Sequence, residues 1–404
     1  MLKNLSIGAL KPDWKVWRFE QMATNINARI DNPSESGMEY YVGLEHLDTN
    51  SLRIRRWGTP DDVEATKLLF KAGDIIFGRR RAYQRKLGVA EFDGICSAHA
   101  MVLRAKSDVV HPQFLPFFMQ SDLFMNRAVE ISVGSLSPTI NWKTMAVQEF
   151  ALPPLKEQER LLELLIASNE VVESYRDAAK TVENARHAYL THTFPEELLD
   201  SELASKATFV RRLDELADVR TGLALGKKHV DKDLVSRPYL RVANVLDGAV
   251  DLTEIKTVEV RQDELSRYEL RDGDVLMTEG GDFDKLGRGT VWEGQIKGCL
   301  HQNHVFAVRA DASLLMPAYL AAIARSPYGK RYFLSCAKKT SNLSSINKKQ
   351  LSNFPVLWEP LNVQRQIVDQ VSTYAMAEQR LRDRLKSAIE LGSGLMKSLS
   401  GSRT

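Results

Sequence analysis

The chain has 404 residues, 44% hydrophobic and 26% charged, with a formal net charge of +3, an ordinary globular composition with room for two or three domains. No run of eighteen apolar residues occurs, and Met1 to Asn4 lacks the apolar core and cleavage site of a secretory signal, so neither a membrane-spanning helix nor export is expected. Cys96, Cys299 and Cys336 are too few and too scattered for a disulfide framework or a zinc knuckle, which points to a reducing cytosol.

The first half opens on a short amphipathic segment, Arg18 to Ala23, and a strand-like run, Glu39 to Leu44. Gly73-Asp74 reads as a turn before the apolar strand Ile75-Ile76, and the loop beyond it carries Arg79, Arg80, Arg81, Arg85 and Lys86. Another short strand is expected near His99–Leu103, a short helix after Pro112, and a Ser-Pro-Thr loop before Asn141 and Lys143. Ten bases face four acids between Arg53 and Leu87. Such a patch fits a polyanion-binding surface, with an ordinary solvated face as the competing reading.

After Pro153-Pro154 the character changes. From Lys156 to Thr193 there is no Gly or Pro, good helix formers dominate, and Pro195 supplies the stop. Apolar positions recur in 4-3 steps through Leu161, Leu165, Ser168, Val172, Tyr175, Ala179, Val182, Arg186 and Tyr189. This period of 3.5 residues is a coiled-coil seam, with Ser168 and Arg186 as its weak points.

The second half repeats this plan. Arg212 to Ala217 is again amphipathic, Tyr239 to Val245 is strand-like, and Gly273-Asp274 opens Val275-Leu276. Lys86-Leu87-Gly88 returns as Lys285-Leu286-Gly287, His99 to Ala105 as His304 to Ala310, Ile140-Asn141 as Ile346-Asn347, and Pro154-Leu155 with Gln158 as Pro360-Leu361 with Gln364. The offset drifts only from 199 (285 minus 86) to 206 (360 minus 154), too long a period for a solenoid. From Arg325 to Lys349 there are seven bases and no acid. A second seam falls at Ile367, Val371, Tyr374, Glu378, Leu381, Leu385, Ala388, Gly392 and Leu395, with Glu378 and Gly392 as exceptions. Each helix would be about 55 Å long at 1.5 Å per residue. Antiparallel pairing of the two is the simplest way to cover both stripes.

Catalytic fingerprints are missing. The Gly-rich stretch Gly280 to Gly289 lacks the Gly-Lys-Ser/Thr ending of a phosphate loop, and its counterpart Arg79 to Arg85 has no glycine. On an expected strand His301 and His304 fall on opposite faces without a third ligand, and His187 and His192 do not share a helix face. The chain reads as a binder without an active site or metal. A DNA-modifying enzyme with its own site, or a coiled-coil scaffold without a DNA role, would be the alternatives.

The repeat, the signature Leu152-Pro153-Pro154-Leu155-Lys156-Glu157-Gln158 and its degenerate copy Leu357 to Gln364 resemble the specificity subunits of type I restriction-modification systems over nearly the whole chain. The second copy departs at Glu359 and Val363. The resemblance implies an α+β architecture: two similar target-recognition domains with twisted sheets (1–153 and 196–357), joined by two long antiparallel coiled-coil helices (154–195 and 358–404). It implies a non-catalytic subunit that reads a bipartite double-stranded DNA target, and because the two halves differ in their loops that target is expected to be asymmetric. Two methyltransferase subunits and the restriction (motor-nuclease) subunits would be partners, and S-adenosylmethionine, ATP and magnesium would belong to them. A related methylase-nuclease system would use a similar subunit. The expected DNA contacts are Arg79, Arg80, Arg81, Arg85, Lys86, Asn141 and Lys143 in the first half. In the second they are Lys285, Arg288, Lys338, Lys339, Asn342, Asn347, Lys348 and Lys349. The expected seam comprises Leu161, Leu165, Val172, Tyr175, Val182, Ile367, Val371, Tyr374, Leu381, Leu385 and Leu395.

Overall fold

A computed structural model describes residues 13–200, 209–224, 233–281, 286–287, 289–339 and 344–399. The chain divides into two α+β units: Met1–Arg176 with Asp383–Thr404, and Asp177–Arg382.

The first unit is built on an antiparallel sheet in the order Ala23–Ile26, Ala100–Ala105, Ile75–Gly78, Leu87–Val89. Its central strands are apolar at successive positions because both faces are covered. Ile75, Phe77, Met101 and Leu103 enter one core with Phe114, Phe124 and Phe150, and Ile76, Ala100 and Val102 enter another with Val42, Ile54 and Phe70. This is the two-residue period of a strand read on both sides. The helices Phe114–Gln120, Asp122–Glu130 and Trp142–Ala146 contribute to the first core. A smaller sheet, in the order Arg29–Ile30, Lys67–Phe70, Gly94–Ser97, Tyr41–Val42, contributes to the second. Lys15–Arg18 pairs with Glu149–Leu152, tying the start of the unit to the segment before the first long helix.

The second unit repeats these connections. Its sheet runs Ala217–Thr221, Val305–Ala310, Val275–Thr278, Gly289–Val291, again antiparallel and in the corresponding order. Val275, Met277, Phe306 and Val308 face one core, and Leu276, Val305 and Ala307 the other. Val210–Arg212 pairs with Pro355–Leu357 as Lys15–Arg18 does with Glu149–Leu152.

The repeated sequence signatures occupy repeated structural positions. Gly73 and Gly273 take φ of +88° and +86°, where a side chain is disfavoured. The next residue is a carboxylate only 1% exposed in each case. Asp74 receives the Lys71 amide and a two-pronged contact from Arg104 at 2.7 and 2.8 Å; Asp274 receives the Arg271 amide and Arg309 at 2.8 and 2.7 Å. A buried charge persists only with such partners. The glutamines of the two signatures are both 0% exposed. Gln158 accepts from the His111 amide (2.9 Å) and donates to the Val109 and Pro153 carbonyls (3.2 and 2.9 Å). Gln364 accepts from the Met316 amide (2.8 Å) and donates to the Leu314 and Glu359 carbonyls (2.9 and 2.6 Å). Each fastens the start of a long helix to its own unit.

The long helices, Leu155–Thr193 and Leu361–Leu399, have 39 residues each. Within the first unit Leu161, Leu165, Val172 and Tyr175 of one helix, and Leu385 and Leu395 of the other, are buried or half-buried. Within the second unit the same holds for Val182, Ile367, Val371, Tyr374 and Leu381. The pairing is antiparallel inside each unit. Leu395 packs on the core that holds Leu165, and a Cβ on Gly392 would lie 3.0 Å from Ser168 Oγ. Arg186 Nε donates to Glu378 Oε1 at 2.6 Å, and three residues on, the Tyr189 ring lies 5.9 Å from Tyr374. The seam's weak points therefore answer one another: small Ser168 faces Gly392, and charged Arg186 faces Glu378. The units divide inside the helices, after Arg176 and Arg382, rather than at the helix ends, because each half-helix is covered by its own unit.

Candidate nucleic-acid interface

In the first unit the candidate surface grows from the end of Ile75–Gly78. The chain turns through Ala82–Gln84, flanked by Arg81 and Arg85 at φ of 57° and 53°. Left-handed backbone at two arginines costs free energy, and packing must hold it. Buried Ala82 enters the core, and the Arg81 amide donates to the Pro138 carbonyl at 2.7 Å. The neighbouring loop lies against this turn: the Ile140 amide donates to the Arg79 carbonyl at 3.0 Å, and Arg80 bridges to Thr139.

On that frame Arg80 Nη2 and Arg81 Nε both reach Ser137 Oγ at 3.3 Å, and Arg80 Nη1 lies 3.4 Å from His99 Nε2. Arg79 Nη2 donates to the Ala98 carbonyl at 3.0 Å. Burial, and then Arg80, Arg79 and Lys67, hold the His99 pKa below its ordinary value. Among the described residues no carboxylate pairs with Arg79, Arg80 or Arg81. The cluster is a concentrated, uncompensated positive patch.

The other expected contacts of this unit have partners within the protein or lie exposed. Arg85 donates to Asn50 Oδ1 (2.7 Å) and the Gln120 carbonyl (2.5 Å) and pairs with Asp122 (3.0 Å). Lys86 Nζ donates to the Leu44 carbonyl at 2.6 Å. Both are half-buried, as are Arg79 and Arg80, while Arg81 is exposed. Asn141 and Lys143 are exposed at the start of Trp142–Ala146.

In the second unit Gly280–Gly281 pairs with Ser344–Ser345, which pairs in turn with Lys338–Lys339. Lys338, Lys348 and Lys349 are exposed. Asn347 is exposed too, but its side-chain oxygen caps Lys348–Ser352 by accepting from the Gln350 amide at 2.9 Å. Lys285, Arg288, Asn342 and the side chain of Lys339 lie outside the described residues.

Several neighbours of the cluster carry no base. Leu136 is 90% exposed and Val133 75% exposed on the loop that holds Ser137, and Tyr83 is exposed on the arginine turn. Their signal in the sequence is apolar residues among Gly, Ser and Pro. Glu279 lies where the 200-residue offset places it opposite Arg79, and its Oε2 is 2.5 Å from His304 Nδ1. Among the described residues no three His, Cys, Asp or Glu converge as a metal site, and no helix is long and apolar enough to cross a membrane.

Residues 13–170 match the family described as "Type I restriction modification DNA specificity domain". The chain is 24% identical, over 98% of its length and 89% of the relative's, to the type I restriction enzyme EcoKI specificity subunit of Escherichia coli strain K12. It is 28% identical to the putative type I restriction enzyme MjaX specificity subunit of Methanocaldococcus jannaschii, over 47% of this chain and 44% of that protein. A solved chain from a study of assembly and conformational transition of the type I restriction-modification system covers 97% of this chain and 98% of its own length, with a TM-score of 0.55 at 22% identity. A type I system S subunit from M. genitalium covers 99% of both chains, with a TM-score of 0.53 at 14% identity. At these identities the two structures speak for the fold alone.

Proposed function

We propose that this chain is a type I restriction-modification DNA specificity subunit that reads a split and asymmetric double-stranded DNA target, one half with each unit. The observation that carries this reading is a repeated frame with different surfaces. The Asp–Arg lock, the buried glutamine and the strand order recur, while the turn after the central strand changes from an arginine cluster to a glycine pair. A frame fixed twice with its outer residues altered suits two readers of different base sequences.

Arg79, Arg80 and Arg81 supply phosphate anchoring and base-edge donors in the first unit, and Lys338, Lys348 and Lys349 supply charge in the second. The long helices act as the spacer for the unspecified gap and dock two methyltransferase subunits. The restriction subunits join that complex in the cytoplasm. S-adenosylmethionine, ATP and magnesium serve those partners, and this chain contributes recognition only.

The test is equilibrium DNA binding by the chain assembled with its methyltransferase partner, across a salt series. Replacing Arg79, Arg80 and Arg81 by alanine is expected to weaken binding and reduce the slope of log affinity against log salt by about 0.9 for each phosphate no longer neutralised. Unchanged affinity and slope would remove the cluster from the interface.

A further inference from the structure

The two units carry opposite charges at one matched position. Gly78 is the last residue of its strand paired with the neighbouring strand, opposite Ala100, and Thr278 is the last of its strand, opposite Val305. The next residue is Arg79 in one unit and Glu279 in the other; the residues before the partner strands are His99 and His304. The backbone is held alike at both places. The Ile140 amide donates to the Arg79 carbonyl at 3.0 Å, and the Ile346 amide to the Glu279 carbonyl at 2.8 Å. One frame thus presents a group that only donates in the first unit and a group that only accepts in the second.

We propose that Glu279 is a specificity-determining residue that selects a base bearing an exocyclic amino group, the cytosine N4 or the adenine N6. This rests on the reading of the chain as a DNA-sequence reader.

A carboxylate facing a polyanion repels phosphate, so a base edge is the part of DNA it can usefully meet. In the major groove the amino groups of cytosine and adenine are the donors. Guanine N7 and O6 and thymine O4 are acceptors that a carboxylate rejects. Glu279 is built for this contact. Its side chain is 29% exposed, its Oε2 is held by His304 at 2.5 Å, and Oε1 has no partner among the described residues. The Glu279 amide donates to the His304 carbonyl at 3.0 Å, so the pair is fixed through backbone as well as side chain. Such anchoring restricts the carboxylate before DNA arrives.

The experiment uses the chain in complex with its methyltransferase partner and duplexes of its methylation target. Each cytosine is replaced in turn by 2-pyrimidinone and each adenine by purine, which remove the amino group alone. With the unaltered chain, one position in a single half-site is expected to lose affinity about tenfold or more. A pyrimidinone position identifies cytosine and a purine position identifies adenine. With Glu279→Ala, that analogue is expected to cost nothing further. An analogue loss as large in Glu279→Ala as in the unaltered chain at every position would overturn the proposal. So would unaltered-chain binding that ignores all the analogues, a result that does not depend on how the variant folds. Absence of any preference for the target over unrelated DNA would instead overturn the DNA-reading function beneath it.

Discussion

Gln158 and Gln364 each satisfy one amide and two carbonyls in places closed to water. A glutamine can do this because its side chain donates and accepts at one end. Gln158→Leu would leave the His111 amide and two carbonyls without that partner, so a loss of about 2–4 kcal/mol is expected, measured as a lower urea midpoint. His301 is the complementary case, a buried side chain whose Nδ1 lies 2.6 Å from the Val305 carbonyl and whose pKa is lowered by burial to about 4 from 6.5. It is neutral in the folded protein at pH 7. Between about 6.5 and 4 the unfolded chain binds a proton that the folded one does not, so stability falls as pH falls through that window. The full effect is about 3 kcal/mol, complete only below the folded value. Comparing urea stability at pH 7 and pH 4.5, the native chain should lose about 2 kcal/mol more than His301→Gln; equal losses would show that His301 does not titrate this way. The sequence marked the repeated glutamine and aspartate by their spacing. It could not show that they are buried, because burial depends on residues far along the chain, such as Asp74 with Arg104.

The long helices were the most legible elements, since a period of 3.5 residues over five turns or more leaves few alternatives. What the period could not reveal is which breaks in the stripe meet. Arg186 and Glu378 each interrupt an apolar seam and are joined at 2.6 Å, and Arg382 lies 3.6 Å from the same carboxylate. A half-buried pair of this kind specifies register more surely than it adds stability. Glu378→Leu should therefore destabilise by about 1–3 kcal/mol, while Arg186→Leu with Glu378→Leu should recover most of that loss; a double variant as unstable as the single one would contradict the pairing. The basic turn was less legible. As charges alone its five bases look alike, but Arg85 and Lys86 reach the Asn50, Gln120, Asp122 and Leu44 positions, Arg79 the Ala98 carbonyl, and Arg80 and Arg81 the Ser137 hydroxyl. Only the fold brings those acceptors near. Glu279 was hidden for a related reason: its charge is opposite to that of Arg79 at the matched place.

At the scale of the whole chain the duplication was readable from short matches such as Gly73-Asp74 with Gly273-Asp274, because turn and core residues change least when a frame is reused. Outer loops follow their ligand, so the repeat cannot state what they bind. In the proposed function each unit reads its own half of the DNA target. The most direct measurement maps methylated sites in DNA treated with the assembled methyltransferase complex, comparing the native chain with the Arg79→Ala, Arg80→Ala, Arg81→Ala variant. The predicted result is relaxed base preference in one half-site and an unchanged preference in the other. Equal relaxation in both half-sites, or a native chain whose sites show no two-part sequence, would contradict it.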